Sequence, residues 1–435
     1  MRKKGLLALS GSICLALILA VLPFVGACAP EEKPAETIKI GIAAAETGDI
    51  GPWWPGAWEV GEMAVDLINE DPPLGRPLEV IIDDEQSTPD GAIKTANYLG
   101  GQGVVFAVGY ESDGLWAALD VIERFGTPTF THWAGTSKLD KTELGKKRLF
   151  FRTCASDTIM DTLYGLYWED ELAPQGYKKV AIMNGTDEAS RSTAIEAAVS
   201  LEKVGAQIVY SKEFPTDQAT FSRILADVFA KEPDAIFVAC GAEQGSIVMK
   251  QWWDSALTKD ILWLVPDEWP NPEVLEAITP AEGAFDNKMV APNPTSGEPL
   301  REYVGESYDI MMAQFEKVYG AGAEPEHAFA INLWDAIIVG ALAIQAAGEA
   351  TPEAVSEYVP KVAGPPGVKV YSYEEGKKAL EEGKEIDFEG AGSDCNFDEY
   401  GNVYPPSSMY MVIDGKWEQT EAVYSSAEQA EFFER

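Results

Sequence analysis

The chain contains 435 residues and carries a formal net charge of −38 at pH 7. Such an acidic surface argues against partners that present phosphate charges, whether nucleic acid or anionic lipid headgroups. Hydrophobic residues make up 46% of the sequence, so the chain can build two ordinary domains with complete cores. We therefore expect an acidic protein of two domains that does not bind nucleic acid.

Residues 1–27 have the order of a secretory signal peptide. Basic residues at positions 2–4 precede an apolar stretch over 6–25, as in signals that are removed after export. A transmembrane anchor is the alternative, because the stretch approaches the ~20 residues that span a bilayer. Gly11, Ser12 and Pro23 interrupt the stretch, and this favours the signal peptide.

A cysteine follows the apolar stretch directly. Residues 25–28 (VGAC) resemble a bacterial lipobox, in which the cysteine is acylated and becomes the new N-terminus. Residues 28–37 are polar and rich in proline and glutamate, and a segment with nothing to bury predicts a tether. We expect a signal peptide over 1–27, a lipid anchor at Cys28, and a mature protein held outside the cytoplasm at the cell membrane.

From residue 38 onward, short β-rich runs alternate with amphipathic helical patterns. Thr88 and Pro89 predict the start of one helix, and the spacing of Phe221, Ile224 and Leu225 predicts the buried face of another. Such alternation implies parallel sheets with helices on both faces. The runs form two series, 38–43, 78–84, 104–109 and 127–132, then 179–184, 207–214, 235–240 and 261–265. Two series of domain length predict two similar α/β lobes.

Six segments of the sequence carry a resemblance to a known family, namely IKIGIAAAETGDIG, VGYES, GTPTFT, LFFRTCASD, PTDQATFSRILADVFAKEPDAIFVACGAEQG and GKEIDFEGAGSDCNFDEYGNV. They are similar to segments of the type I periplasmic binding proteins, in the branch that binds leucine, isoleucine and valine for ABC transporters. This resemblance implies two Rossmann-like doubly wound lobes joined by three crossover strands. It also implies hinge closure over a ligand in the cleft, followed by delivery to a membrane permease and its ATPase.

In that family each lobe is discontinuous in sequence. We expect the three crossings near Phe151–Thr153, Gly283–Met289 and Gly392–Phe397. The corresponding boundaries are 38–152 and 287–393 for lobe 1, and 153–286 and 394–435 for lobe 2.

Three cysteines remain after the signal peptide and the lipid anchor, namely Cys154, Cys240 and Cys395. An odd number without CxxC spacing cannot form a full disulfide framework. Cys154 and Cys395 both fall near crossover strands, which run side by side in the family's fold. We therefore hypothesise that these two lie within bridging reach, with three buried thiols as the alternative.

The usual signs of catalysis are missing from the sequence. Its two histidines, His132 and His327, are too few for a typical histidine metal site. No GxSxG, HExxH or GxGxxG motif occurs. We expect no catalytic residue, no metal and no cofactor, which makes an exported enzyme the less favoured alternative.

A ligand-sensing receptor subunit that signals to a membrane partner is the other alternative, since the same fold serves in signalling receptors. Such a receptor normally continues into a transmembrane helix and a signalling domain, and neither follows the second lobe in this sequence. We therefore expect a monomeric solute-binding protein of an importer.

The resemblance implies a ligand site in the loops after the strands, where helix N-termini favour a carboxylate. Tyr110 and Ser112 follow the run VVFAVG. With one residue deleted, Ser112 falls on the family's carboxylate-binding serine, and Ala117 falls on its alanine. The alternative is that Ser112 serves only as an N-cap.

The loop after TPTFT reads HWAGTS and contains Trp133, Ala134, Gly135 and Thr136. Family members offer small residues and a threonine there, with backbone groups facing the ligand. Either Gly135 or Thr136 takes the place of that threonine. Trp133 departs from the family because a large ring replaces a small side chain, and it either contacts the ligand or packs within the lobe.

The first loop brings two adjacent tryptophans, Trp53 and Trp54, between Pro52 and Pro55. Two such rings on a rigid, irregular loop are hard to bury together. We expect one of them to face the cleft, and we assign Trp54 to the ligand site.

The loop VPDEWP follows the last strand of the second series. In amino acid-binding relatives an acid in this loop binds the α-amino group, and Asp267 and Glu268 both qualify. A solvated acidic turn is the alternative. Ala189 and Ser190 stand where the family often has tyrosine and glycine, so leucine-type specificity does not carry over. We expect an amino acid or an amide-like molecule with an aromatic or bulky apolar part.

Overall fold

The structure is a computed structural model, and it describes residues 36–325 and 329–435. The predicted signal peptide, the predicted lipid anchor at Cys28 and nearly all of the predicted tether lie outside the described residues.

The described chain alternates strands and helices. The strands are β1 Ile38–Ala44, β2 Leu78–Asp84, β3 Ala107–Gly109, β4 Thr129–Thr131, β5 Phe150–Arg152, β6 Lys179–Gly185, β7 Gln207–Phe214, β8 Ala235–Ala239, β9 Leu262–Leu264, β10 Met289–Pro294, β11 Val368–Val370, β12 Ile386–Phe388, β13 Ser407–Ile413 and β14 Lys416–Tyr424. The helices are α1 Trp54–Glu70, α2 Pro89–Gln102, α3 Ser112–Phe125, α4 Glu143–Lys146, α5 Asp157–Met160, α6 Thr162–Tyr167, α7 Glu188–Lys203, α8 Ser222–Phe229, α9 Ala242–Asp254, α10 Pro272–Ile278, α11 Gly297–Val304, α12 Glu306–Tyr319, α13 Phe329–Ala347, α14 Pro352–Val362, α15 Tyr373–Glu381 and α16 Ser426–Glu434.

The first sheet has five parallel strands in the order β2-β1-β3-β4-β5. Ile40 and Ile42 of β1 pack into one hydrophobic cluster, and Ala43 packs into another. Because successive strand residues point to opposite faces, both faces of this sheet are covered. We call this sheet and the helices packed on it lobe 1.

The second sheet has seven strands in the order β14-β13-β10-β9-β8-β6-β7. Its strands are parallel except β13, which runs antiparallel to β10 and β14. Alternate residues of its strands again enter two different hydrophobic clusters, as with Ala181 and Ile182 of β6. This sheet and its helices form lobe 2, and the predicted α/β architecture of two parallel-sheet lobes is confirmed.

The local signals in the sequence explain where several helices begin and end. The Thr88 hydroxyl accepts a hydrogen bond from the Gly91 amide (3.1 Å), with Pro89 at the first position of α2. Gly103 ends the same helix in the left-handed conformation that glycine adopts without strain. Ile224 and Leu225 are buried along α8, as their spacing predicted.

The second crossing between the lobes lies later in the chain than expected. The prediction near Gly283–Met289 is wrong because β10 pairs with β9 and β13 and so belongs to lobe 2. All six residues of β10 are buried, which fixes the strand inside the second sheet. The chain returns to lobe 1 only after Pro294, where Leu300 and Val304 of α11 join the lobe 1 core.

Helix α13 is the central core helix of lobe 1. It is long and apolar enough to cross a membrane, but 83% of its most apolar window is buried inside the protein. Asp335 is a carboxylate within this apolar helix, and it accepts hydrogen bonds from the amides of Ala391 (2.7 Å) and Gly392 (2.8 Å). Asp335 therefore ties the segment that leads to the third crossing onto the core helix.

The approach of that segment requires glycine. A Cβ atom at Gly390 would lie 2.6 Å from the Asp335 carboxyl group and equally close to Cys395 Sγ. The glycines of EGAGSD therefore let the backbone reach the buried carboxylate.

The cysteines of the described chain are free thiols. Cys154, Cys240 and Cys395 are all buried and unbridged, so the hypothesis of a disulfide between Cys154 and Cys395 is wrong. Burial raises the pKa of Cys154 to about 12, which keeps it protonated. The alternative of three buried thiols describes the protein.

Asp335→Ala is expected to lower the free energy of unfolding by about 2–4 kcal/mol, because two buried amides would lose their acceptor. Urea denaturation of the signal-free protein measures this change. Glu349, an exposed acid just after α13, supplies the control, and Glu349→Ala should change stability by less than ~0.5 kcal/mol. Equal effects of the two substitutions would contradict the tying role of Asp335.

Candidate functional site

A cavity of about 70 Å³ lies between the two lobes, where loops from both sheets meet. The carboxyl ends of parallel strands converge at such a position, which is where doubly wound folds bind ligands. Lobe 1 contributes Ile50, Trp53, Glu111, Ser112, Trp133, Gly135 and Phe329, and lobe 2 contributes Asp157, Ala189, Thr193, Pro266, Asp267 and Glu268.

A larger open groove of about 1150 Å³ also has walls from both lobes, including Tyr308, Tyr410 and Trp417. None of the predicted ligand-site residues lines it. The smaller cavity brings together Ser112, Trp133, Gly135, Asp267 and Glu268, so we take the smaller cavity as the candidate site.

The loop before α3 positions Ser112 at the cavity. Glu111 is the N-cap of α3, and its carboxylate accepts hydrogen bonds from the amides of Asp113 and Gly114. Ser112 is the first helical residue, and its hydroxyl accepts a hydrogen bond from the Thr136 amide (3.2 Å). The helix N-terminus is thus capped by Glu111 rather than by Ser112, which leaves Ser112 on the cavity wall.

Four of the predicted site residues do not line the cavity. Tyr110 is 1% exposed and packs in a lobe 1 core cluster. Ala134 is fully buried behind its loop, with its amide bonded to Thr131 Oγ1 (2.9 Å). The Thr136 hydroxyl donates to Glu188 Oε1 (2.8 Å) instead of facing the cavity.

Trp54 is the fourth, and the assignment of the first loop must be corrected. Trp54 packs in the lobe 1 core and stacks on Trp58, with ring centroids 5.8 Å apart. Trp53 lines the cavity and packs with the hydrophobic core of lobe 2. The two rings do point to different environments, but Trp53 is the one that faces the cleft.

Trp133 forms part of the aromatic wall. Its ring stacks on His132 at 4.1 Å and lies 6.2 Å from Trp54. The indole nitrogen Nε1 is buried and has no hydrogen-bond partner among the described residues. A buried N–H without an acceptor is costly, and none of the described residues supplies an acceptor to this one.

Asp267 and Glu268 follow β9, and both line the cavity. Burial raises the pKa of Asp267 to about 6, and its own amide and that of Glu268 oppose the shift. Burial, together with the charge of Asp267, raises the pKa of Glu268 well above its ordinary value. Two adjacent acids therefore face one small space.

Asp157 is a third acid on the cavity wall, and it was not assigned from the sequence. It begins α5, directly after the first crossing, and is 8% exposed. Burial and the Asp267 charge raise its pKa to about 8, while Ser192 and Arg152 oppose that rise. Gly135 makes room for it, because a Cβ there would lie 1.9 Å from Asp157 Oδ1.

The two lobes contact each other beside the cavity. Asp113 of α3 accepts hydrogen bonds from the amides of Glu188 (2.9 Å) and Ala189 (3.4 Å), at the start of α7 in lobe 2. Lys138 of lobe 1 forms an ion pair with Glu188. We call these the cross-lobe contacts, and they hold the cavity between closely apposed lobes.

Sequence reasoning missed Trp53, Asp157 and Phe329, for different reasons. The adjacent tryptophans carry no signal that separates them. Asp157 lies in the segment LFFRTCASD, but a single acidic residue in that segment does not predict a position on a cavity wall. Phe329 opens a helix whose pattern is apolar all round, so no face of that helix stood out.

The sequence and the fold were compared with those of known proteins. The family model of periplasmic binding proteins matches residues 37–412. The chain belongs to the periplasmic binding protein family. This agrees with the family identified from the segments in the sequence, and the members of this family compared with the chain are binding proteins rather than enzymes.

Individual relatives in this family are distant. A leucine-, isoleucine-, valine-, threonine- and alanine-binding protein of Pseudomonas aeruginosa is 26% identical over 330 residues, which cover 74% of this chain and 82% of the relative. The leucine-binding protein LivK of Thermotoga maritima has a TM-score of 0.73 at 20% identity, covering 89% of this chain and 99% of its own. LivJ of Streptococcus pneumoniae, solved with isoleucine, has a TM-score of 0.71 at 20% identity, covering 90% and 99%. At these identities the two structures establish the fold.

The raised pKa values predict how stability depends on pH. An unfolded aspartate titrates near pH ~4, whereas Asp157 keeps its proton up to about pH 8 in the folded protein. The folded state therefore binds more protons between these values, and the free energy of unfolding should fall as the pH rises from about 4 to about 8.

Urea denaturation at a series of pH values checks this slope. Asp157→Asn should make the fall shallower, because the substituted side chain has no proton to lose. Asp227→Asn, at an exposed position on α8, should leave the slope unchanged. A wild-type slope of the opposite sign, or an identical slope in Asp157→Asn, would contradict the buried state of Asp157.

Proposed function

We propose that this protein is the solute-binding component of an ABC importer, and that its two lobes close over a small ligand that carries an amine. The observation that carries the proposal is the cavity bounded by both lobes, with acids on one part of its wall and aromatic rings on another. The ligand is an amino acid or an amide-like molecule with an apolar part.

The size and lining of the cavity support a small ligand. About 70 Å³ corresponds to roughly five water-sized groups, when one such group needs ~10–15 Å³. Trp53, Trp133 and Phe329 supply an apolar wall, which suits a hydrocarbon part of the ligand.

The polar part of the wall supports an amine. A closed cleft excludes water, so an ammonium group inside it needs a fixed counter-charge. Asp267 and Glu268 supply negative charge in the loop after β9. The relatives agree with this class of ligand, because one is named for binding five amino acids and another was solved with isoleucine.

The transport role brings in partners and a place in the cell. We propose that the protein works outside the cytoplasm, attached to the membrane by lipid on Cys28, and passes its ligand to a permease driven by an ATPase. Membership of the periplasmic binding protein family supports the location, and the sequence VGAC supports the anchor. A tethered receptor keeps its ligand close to the permease.

A thermal-shift screen of the signal-free protein against small metabolites tests the binding function. A ligand found in this way should change tryptophan fluorescence, because Trp53 and Trp133 line the cavity. Trp133→Ala should weaken its binding by about 1–3 kcal/mol through lost ring contact. Tyr98→Ala, which removes an exposed ring on α2, should bind normally, and equal binding by both variants would contradict ligand contact at Trp133.

The anchor is tested by Cys28→Ser in the full-length chain. This variant should move from the membrane fraction to the soluble fraction, because acyl chains contribute ~0.8 kcal/mol for each buried CH₂ group. Cell fractionation with immunodetection measures the distribution. A Cys28→Ser protein that still sediments with membranes would show that another segment holds it there.

A further inference from the structure

The charge on the cavity wall is unbalanced. Glu111, Asp157, Asp267 and Glu268 line the cavity, and no lysine or arginine is among the described residues that line it. Glu111 is already engaged as the cap of α3, where it accepts hydrogen bonds from the amides of Asp113 and Gly114. Three carboxyl groups therefore remain to meet a ligand.

The nearest cations are engaged elsewhere. Arg152 is fully buried and forms an ion pair with Asp140 (2.8 Å), and it also donates to the Thr136 carbonyl (3.0 Å). Lys138 pairs with Glu188 in the cross-lobe contacts. Arg152 lowers the pKa of Asp157, but its own carboxylate partner is Asp140. Protein cations therefore do not neutralise the three acids.

Lobe 1 also has fewer free hydrogen-bond donors for a ligand carboxylate than the family resemblance implies. The Thr136 amide donates to the Ser112 hydroxyl, and the Thr136 hydroxyl donates to Glu188. Glu111 occupies the first amides of α3 and brings its own negative charge to the wall. The part of the site expected to hold an anion is thus occupied by groups of the protein.

A second feature of the wall calls for a polar ligand independently of the acids. Thr193 is 6% exposed and lines the cavity. Its hydroxyl lies beside the Asp161 carboxyl, to which it makes a weak hydrogen bond, and it has no other partner of ordinary geometry among the described residues. Its oxygen is therefore left as an acceptor for a ligand N–H.

We infer that the ligand carries two positively charged nitrogen centres, and that a short diamine suits the site better than a basic amino acid, whose carboxylate would meet a part of the site that is already occupied. One centre meets Asp267 and Glu268, and the other meets Asp157. This inference rests on the proposed binding function and specifies its ligand. A ligand with one ammonium group would leave two of the three acids without a counter-charge, whereas two ammonium groups balance two of them, and the third can stay protonated because burial raises all three pKa values.

Calorimetry on the signal-free protein with four probes tests the charge requirement. Ornithine and norvaline have the same carbon chain and differ in the second amine. Putrescine and butylamine differ in the same way and lack the carboxylate. We expect each probe with two amines to bind at least roughly thirty-fold more tightly than its matched partner, as for loss of a buried charge pair. Comparing the affinities for ornithine and putrescine then shows whether the site prefers a basic amino acid or a diamine.

The inference is overturned if neither probe with two amines binds more tightly than its partner, including the case in which none of the four binds. The proposed function is tested separately. It stands if the metabolite screen yields another ligand that binds in the cleft. It fails only if no small solute binds there.

Charge-neutralising variants locate the two contacts. Asp267→Asn and Asp157→Asn should each reduce the preference for the diamino probe over its partner by roughly thirty-fold or more. Glu202→Gln, at an exposed position on α7, should keep the full preference. An unchanged preference in both cavity variants overturns the assignment. Should a variant fail to fold, as seen by circular dichroism, the wild-type probe comparison still decides.

Discussion

The candidate site depends on one constraint, which is the burial of several carboxyl groups close together in its wall. Burial disfavours the charged form of each acid, and the neighbouring acids disfavour it further. Burial raises the pKa values of Asp157, Asp267 and Glu268, and a neighbouring acid raises those of Asp157 and Glu268 further. An empty cavity of this kind holds protons, and a cation that enters it takes their place. In our proposal, the same groups lower the stability of the empty protein as the pH rises and also determine the charge of the ligand.

The fold explains how these acids come together from distant parts of the sequence. Asp157 follows the strand at one edge of the lobe 1 sheet, while Asp267 and Glu268 follow β9 in lobe 2. Parallel strands end on the same side, so their loops meet where the two sheets face each other. Gly135 completes the arrangement, since any side chain there would displace the Asp157 carboxylate.

Much of the fold was predictable from the sequence, because it is encoded in repeated local patterns. Strand runs, helical faces and caps such as Thr88 recur along the chain and support one another. The second crossing was misplaced because Met289–Pro294 is a lobe 2 strand that contains two prolines and an asparagine, which strand patterns disfavour. Its assignment depends on pairing with β13, more than a hundred residues away.

The candidate site was less predictable, because it depends on which way individual side chains point. The loops after strands were foreseen, and Ser112, Trp133, Gly135, Asp267 and Glu268 do line one cavity. Trp53 and Trp54 are neighbours with identical chemistry, and only the packing of two different lobes separates them. Thr136 was foreseen as a ligand contact, but its hydroxyl is used by Glu188 across the lobe boundary. The direction of such side chains is set by tertiary packing, and no periodic pattern in the sequence indicates it.

If the two lobes open and close as proposed, the cross-lobe contacts affect the timing of ligand exchange. Asp113 accepts hydrogen bonds from the first amides of a helix in the other lobe, yet it does not itself line the cavity. Separating the lobes would return those amides and the carboxylate to water whether or not a ligand is present, so the contacts favour the closed form of the empty protein as well. Any solute that enters must wait for the open fraction of molecules, which lowers its association rate in proportion. The same contacts would lengthen the residence time of a bound ligand. Such a receptor would hold its ligand longer but bind it more slowly.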